Sequence, residues 1–139
     1  MAFEVSRVRY TGKIKEVTLG TGEKAVTIGG ETCYPFHLFE GKMPYIPRIA
    51  FEVWDYEPDD WQDWAIEPFK DVIGSPVAWA KKCIEAFNAE IIALNLKGAD
   101  PNGRNRDVEE VINVVKDVVG AVSVPVIVWG TSNDEKDAV

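Results

Sequence analysis

The sequence predicts an α/β fold built on a parallel sheet, and two observations support this prediction. Short apolar runs with little polar alternation recur along the chain, as in strands that are covered on both faces. Amphipathic helices are predicted between the second and third runs and between the third and fourth. Strands that alternate with helices form right-handed βαβ crossovers, which make the strands parallel. The four runs are residues 24–29, 48–54, 90–96 and 124–129.

Residues 1–23 are predicted to form a short β-hairpin ahead of these units. Two groups of strand-forming residues are separated by a turn at residues 11–13, and a second glycine-rich turn follows at residues 20–22. The strand-forming residues are Val8 and Tyr10, followed by Ile14, Val17 and Leu19. Residues 24–139 are then predicted to comprise four βα units, of which the last lacks its helix.

Both helices carry recognisable start signals. Ser75 is placed as an N-cap and Pro76 as the first helical residue of a helix that extends to Phe87. In the second helix, Asp107, Glu109 and Glu110 crowd the first turn as the helix dipole favours, and the helix ends near Gly120.

The spacing of the four runs is compatible with two folds. The runs begin 24, 42 and 34 residues apart, close on average to the roughly 31 residues per unit of a (β/α)8 barrel. A flavodoxin-like open sheet has similar spacing. The polar residues after residue 131 are typical of a helix start, and an apolar edge strand without its helix is an aggregation hazard. We therefore expect the chain to be a fragment of a longer polypeptide.

Composition excludes several classes of function. The formal net charge is −8, with no basic stripe for nucleic acid and no positive surface for anionic lipid. The cysteines, Cys33 and Cys83, lie too far apart to form a zinc or cluster motif, and we expect both to be reduced. Neither a signal peptide nor a membrane-spanning apolar run is present, so we expect a cytoplasmic protein.

Candidate binding residues follow the ends of the predicted strands, where parallel α/β proteins place their functional sites. Small residues admit a ligand close to the backbone, and polar side chains can hydrogen-bond to it. Trp54 and Trp129 lie at the same strand ends. Packing is the role expected of them, and lining the wall of a planar cofactor site is the alternative. No serine or cysteine has a basic partner, so no catalytic residue is predicted. The candidates are Gly29, Gly30, Glu31, Asp55, Asn95, Lys97, Thr131 and Asn133.

Several segments resemble, in order, the small subunit of the corrinoid/iron–sulfur protein, whose archaeal counterpart is the delta subunit of the acetyl-CoA decarbonylase/synthase complex. The resemblance covers nearly the whole chain. The segments are TGKIKEVTLGTGEKAVTIGGE (11–31), PFHLFEG (35–41), IAFEVWD (49–55), SPVAWAKKCIEAFNAEIIALNLKG (75–98) and WGTSN (129–133).

This resemblance implies the N-terminal half of a (β/α)8 barrel that pairs with a large subunit carrying the iron–sulfur cluster. A corrinoid would be shared between the subunits, against the carboxyl-end face of the barrel, with no metal or cluster bound by this chain itself. The implied partners are the large subunit, a methyltetrahydrofolate (methyl-pterin) methyltransferase and acetyl-CoA synthase. The implied role is methyl transfer to acetyl-CoA synthase in the anaerobic reductive acetyl-CoA (Wood–Ljungdahl) pathway.

Two alternatives stay open at this point. A pterin-dependent methyltransferase of barrel fold would hold its pterin with a strand-end aspartate and asparagines, and Asp55, Asn95 and Asn133 imitate such a set. A free-standing interaction domain of flavodoxin type would need a helix after the last run.

Overall fold

The computed structural model describes residues 4–131, which form a hairpin and a separate parallel sheet. The strands are β1 (Val17–Leu19), β2 (Val26–Ile28), β3 (Ala50–Trp54), β4 (Ile91–Asn95) and β5 (Val126–Trp129). In the hairpin, β1 pairs antiparallel with β2. In the sheet, the strands lie in the order β3-β4-β5 and both pairs are parallel.

Two long helices provide the crossovers of the parallel sheet. α2 (Pro76–Phe87) connects β3 to β4, and α3 (Val108–Ala121) connects β4 to β5, while the short α1 (Asp63–Ile66) precedes α2. The Ser75 side chain accepts a hydrogen bond from the backbone N–H of Ala78 at the start of α2. Both helices are therefore confirmed within a residue or two of their predicted limits.

The hydrophobic core lies between the sheet and these two helices. Consecutive right-handed crossovers between neighbouring strands place their helices on the same face of a sheet, and α2 packs against α3. Side chains that alternate along the strands are fully buried on this face. The fully buried residues include Val53, Ile92 and Leu94 from the strands and Trp79, Cys83 and Val118 from the helices.

The prediction that residues 24–29 form the first parallel strand is wrong. Val26–Ile28 pairs antiparallel with Val17–Leu19, so Leu19 lies opposite Val26. A short turn is enough to join antiparallel strands, whereas a parallel pair needs a crossover of about a dozen residues or more. No helix lies between β2 and β3 in the structure, so β2 has no crossover that would bring it into the parallel sheet.

A hairpin is present, but it is not the one predicted within residues 1–23, because Val17–Leu19 pairs with Val26–Ile28. Val8 and Tyr10 lie outside any strand. Instead, the backbone N–H of Val8 and the hydroxyl of Tyr10 both donate hydrogen bonds to the Glu40 carboxylate. The α/β class is confirmed, with three parallel strands where four were predicted, and residues 4–131 form no closed barrel.

The turn of the hairpin lies at the amino end of the parallel sheet. A Cβ atom added to Gly20 would lie 2.7 Å from the Cγ of Pro125, just before β5. A pocket of about 390 Å³ separates the turn from Arg48, Glu90 and Val124, which precede the three parallel strands. The loops after the carboxyl ends of these strands therefore lie at the opposite end of the sheet.

Candidate functional site

Side chains of three neighbouring strands lie at the carboxyl end of the sheet, where alternation along the strands places them on the face away from α2 and α3. Trp54 lies opposite Asn95, and Asn95 lies opposite Trp129 in the strand register. Glu52 shares their face because it is two residues before Trp54. We call Glu52, Trp54, Asn95, Lys97 and Trp129 the strand-end face.

Glu52 connects two of these strands through its side chain. Its Oε1 accepts a hydrogen bond of 2.7 Å from the indole Nε1 of Trp54 and another of 2.7 Å from the Nδ2 of Asn95. Hydrogen bonds to an ionised acceptor are among the stronger ones in proteins. Glu52 therefore orients both neighbours while its own side chain stays exposed.

Other side chains already cover the Trp54 ring. Lys97 Nζ lies 3.9 Å from the ring centroid, a cation–π arrangement. The centroids of Trp61 and Tyr56 lie 5.2 Å and 5.7 Å away, and Trp54 is 6% exposed. Trp129, in contrast, is 59% exposed, so its ring is the one of the two that a planar ligand can reach.

Asp55 is turned inward and anchors the loop that follows β4. It is 2% exposed, and its Oδ1 accepts a hydrogen bond of 2.8 Å from the backbone N–H of Gly98. The Arg106 guanidinium donates to the Asp55 backbone carbonyl at 3.0 Å and lies 3.9 Å from the Asp55 Oδ2. A Cβ atom at residue 98 would lie only 2.4 Å from that Oδ2, so the loop can approach this closely because residue 98 is glycine.

Burial raises the pKa of the Asp55 carboxyl, although the Gly98 hydrogen bond and the Arg106 charge oppose this rise. Removal from water disfavours the charged form of a carboxyl group, and here that cost is the largest effect. The Asp55 carboxylate is thus committed to the fold and is not presented to the strand-end face.

Asp55→Asn is expected to change the pH dependence of stability. Because the pKa of Asp55 is raised above its ordinary value of 3.8, the folded state binds more protons than the unfolded state between the two values. Asp55 therefore makes the free energy of unfolding fall as the pH rises through this window, and asparagine does not. Urea unfolding of both proteins is measured from about pH 4 to about pH 7. As the pH is lowered, the free energy of unfolding of wild type should rise relative to that of Asp55→Asn. A difference that stays constant across this range would contradict the prediction.

Gly29, Gly30 and Glu31 lie in the hairpin and not at the end of a parallel strand. Gly29 and Gly30 have φ angles of +90° and +82°. The backbone N–H of Gly30 donates to the Ile14 carbonyl at 3.0 Å, and the N–H of Ile14 donates to the Glu31 carbonyl at 2.9 Å. The expectation that residues 29–31 end a parallel strand was wrong, because β2 belongs to the hairpin. Their role in cofactor binding stays a prediction.

Two candidates follow β5, and the structure describes one of them, Thr131. Thr131 lies two residues after the end of β5 and is partly buried. The strand end itself is held by a hydrogen bond of 2.9 Å from the Leu96 N–H to the Trp129 carbonyl. Asn133 lies outside the described residues. Of the eight predicted residues, the structure therefore places Asn95 and Lys97 on the strand-end face.

The cysteines and the histidine do not form a metal site in residues 4–131, where no cluster of three or more potential ligands occurs. Cys33 and Cys83 are both free thiols, and burial raises the pKa of Cys83 to about 11. His37 lies in the loop after the hairpin, where its Nδ1 is 3.2 Å from Glu40 Oε2. In the same described part of the chain, no helix is long and apolar enough to cross a membrane.

Comparison with known proteins identifies the family. Residues 16–138 match the family model of the CO dehydrogenase/acetyl-CoA synthase delta subunit. The chain belongs to this delta-subunit family. The resemblance noted in the sequence is thereby confirmed over most of the chain.

Several curated relatives carry the same subunit name. The acetyl-CoA decarbonylase/synthase complex subunit delta of Archaeoglobus fulgidus is 37% identical over 97% of this chain and 31% of its own length. Subunit delta of Methanopyrus kandleri is 34% identical over 85% of the chain and 29% of its own length. Subunit delta 1 of Methanosarcina thermophila is 32% identical over 97% of the chain and 32% of its own length. The chain thus spans about a third of the length of these relatives.

Proposed function

We propose that this chain is part of the cytoplasmic small subunit of a heterodimeric corrinoid/iron–sulfur protein, and that the strand-end face forms one wall of its corrinoid site. Membership of the delta-subunit family supports the subunit assignment. The observation that carries the site assignment is the strand-end face itself, which combines an exposed indole with a carboxylate, an amide and an ammonium group.

The residues of this face suit a corrinoid chemically. A corrinoid is a broad ring system with amide groups around its rim, which can both donate and accept hydrogen bonds. Trp129 offers apolar area for the ring, while Asn95 and Lys97 offer polar groups for the rim. The chain's one histidine, His37, is in the loop after the hairpin, so this face offers no imidazole ligand for cobalt. These features favour a face that contacts the cofactor without coordinating its metal.

The strand order is compatible with the N-terminal half of a (β/α)8 barrel. Neighbouring parallel strands in chain order, with both crossover helices on one face, repeat the arrangement of consecutive barrel units. A flavodoxin-like sheet instead begins with its first strand between the second and third. In a barrel, the strand-end face would line the mouth, where such folds place their sites.

The proposed role is to bind and orient a cofactor that is shared with other subunits. The corrinoid supplies a cobalt atom that carries a methyl group between a methyltetrahydrofolate (methyl-pterin) methyltransferase and acetyl-CoA synthase in the reductive acetyl-CoA pathway. This chain would contribute the wall that excludes water and fixes the ring, and the large subunit would hold the iron–sulfur cluster. The partners are accordingly the large subunit, the methyltransferase and acetyl-CoA synthase.

The alternative of a pterin-dependent methyltransferase is less well supported by the geometry. That function needs a strand-end aspartate directed at the pterin. Asp55 is buried and already holds Gly98 and Arg106, so the carboxylate with the expected position is unavailable to a ligand.

Trp129→Ala tests the proposed wall. The full-length protein is purified anaerobically with its partner from native extract, and corrinoid and iron–sulfur absorption bands are recorded in the eluate. We expect wild type to bring both bands, and Trp129→Ala to retain about tenfold less corrinoid, because stacking and burial of one aromatic ring contribute on the order of 1–3 kcal/mol.

Trp64→Ala is the matched control, because Trp64 is exposed in α1, on another part of the chain. This variant should retain corrinoid like wild type. A colourless homo-oligomer that methylates added corrinoid from methyl-pterin would overturn the proposal in favour of the methyltransferase.

A further inference from the structure

An exposed carboxylate inside an apolar strand needs an explanation, and Glu52 is such a group. Its neighbours along β3 are the apolar Phe51 and Val53. Glu52 is exposed on the open face of the sheet, so it contributes no burial energy to the core. A strand position of this kind suits a β-branched or aromatic side chain better than a glutamate.

Among residues 4–131, the hydrogen bonds of Glu52 use only one of its two oxygens. Both donors, Trp54 Nε1 and Asn95 Nδ2, bind the Oε1 atom. A carboxylate has about four lone-pair positions on two oxygens. The two bonds therefore fix the direction of the side chain and leave Oε2 able to accept a further N–H group.

The same bonds determine what the neighbouring Asn95 presents. Its Nδ2 donates to Glu52, so its carbonyl Oδ1 is the end of the amide that is directed elsewhere. Glu52 Oε2 and Asn95 Oδ1, the atoms that these two bonds do not use, are both hydrogen-bond acceptors. Such a pair is complementary to a ligand that carries N–H groups and is unfavourable for a ligand that carries negative charge.

We infer that Glu52 selects the amide form of the corrinoid rim, accepting an N–H of a peripheral carboxamide through Oε2. This inference rests on the proposed corrinoid wall and assigns it a specificity-determining residue. Primary amides around the ring supply the N–H donors, whereas a corrinoid with a rim carboxylate would bring a second negative charge against Glu52. The Glu52 carboxylate thus distinguishes a complete cofactor from one with a hydrolysed side chain.

The variants Glu52→Gln and Glu52→Ala distinguish a Glu52 that contacts the corrinoid directly from one that only positions Trp54 and Asn95. In Glu52→Gln the amide oxygen still accepts from Trp54 and Asn95, while the other end becomes a donor. In Glu52→Ala the hydrogen bonds from Trp54 and Asn95 are lost as well. Glu85→Gln, on an exposed position of α2, is the control for loss of one negative charge.

The experiment measures corrinoid affinity in the complex of full-length protein and its large subunit. Cobalamin is removed, and the complex is titrated with cobalamin or with a cobalamin monocarboxylic acid, following the corrinoid absorption bands. We expect wild type and Glu85→Gln to prefer cobalamin. We expect Glu52→Gln to bind cobalamin about tenfold more weakly and to lose the preference against the carboxylate form, as for a lost charge-assisted hydrogen bond.

The outcomes distinguish this inference from the proposed function. If Glu52→Gln matches wild type with both ligands while Trp129→Ala loses affinity, the wall stands and the role of Glu52 is overturned. A loss confined to Glu52→Ala would likewise overturn it, by reducing Glu52 to a positioning residue. If wild type and all variants, including Trp129→Ala, bind both corrinoids equally, the wall itself is refuted.

Discussion

Trp79→Ala is expected to lower the free energy of unfolding by about 3–5 kcal/mol, the range for truncating a buried aromatic side chain. Trp79 is 1% exposed in the middle of the helix-facing core. Its ring lies 5.7 Å from the ring centroids of both Trp61 and Phe69. Truncation therefore removes buried apolar area and leaves a cavity between α2 and the loop after β3. Urea unfolding of the full-length protein measures the loss.

Two further variants give this prediction its controls. Trp64→Ala makes the same chemical change at a residue that is 79% exposed, and it should alter stability by no more than about 0.5 kcal/mol. Trp79→Phe should lower the free energy of unfolding much less than Trp79→Ala, because the Trp79 Nε1 is buried without a hydrogen-bond partner in the described residues. Equal effects of the two Trp→Ala changes would show that Trp79 is not a core residue in solution.

The long crossover helices were predictable because their signals are local. Ser75 and Pro76 specify a helix start through backbone geometry that needs no distant contact. The apolar periodicity of residues 77–87 then identifies the buried face, and Trp79 and Cys83 are indeed buried. The parallel strands were predictable for a related reason, since an apolar run between helices has few other places in an α/β fold.

The hairpin was assigned incorrectly because strand pairing is not a local property. Residues 24–29 have the composition of a buried strand, and nothing in that composition selects a parallel or an antiparallel neighbour. The deciding feature is the connection, which is a short turn before Val26 and a stretch without a helix after Ile28. The glycine-rich turn predicted to close the hairpin at residues 20–22 instead lies between its two strands.

The candidate site was predicted in part for similar reasons. Asn95 and Lys97 follow a correctly assigned strand and lie on the strand-end face. Asp55 also follows such a strand, but its side chain turns into the loop of Gly98, which depends on a contact between residues 43 positions apart. Glu52 was missed, although a carboxylate two residues before Trp54 in an apolar strand was a usable signal. Alternation along β3 places it on the same face as the other site residues.

Gly29→Ala is expected to destabilise the full-length protein by more than roughly 2 kcal/mol, because two costs coincide. The φ angle of Gly29 is +90°, in a backbone region that residues with a Cβ atom rarely adopt. The added Cβ atom would also lie 2.1 Å from the Lys15 carbonyl oxygen. That oxygen belongs to the backbone, so relief requires the segment preceding β1 to move away. Urea unfolding measures the loss, and Gly12→Ala is its control, since no atom lies within 4 Å of a Cβ added there.

The same pair of variants decides between two roles for Gly29. The sequence suggested a cofactor contact, whereas the structure gives the residue a backbone reason to be glycine. If the backbone is the reason, Gly29→Ala should lose stability, and the folded fraction should bind cobalamin with the affinity of Gly12→Ala. If the variant is as stable as wild type and loses cobalamin affinity alone, the hairpin belongs to the cofactor site. In that case the close approach of Gly29 to Lys15 would not be what requires glycine at this position.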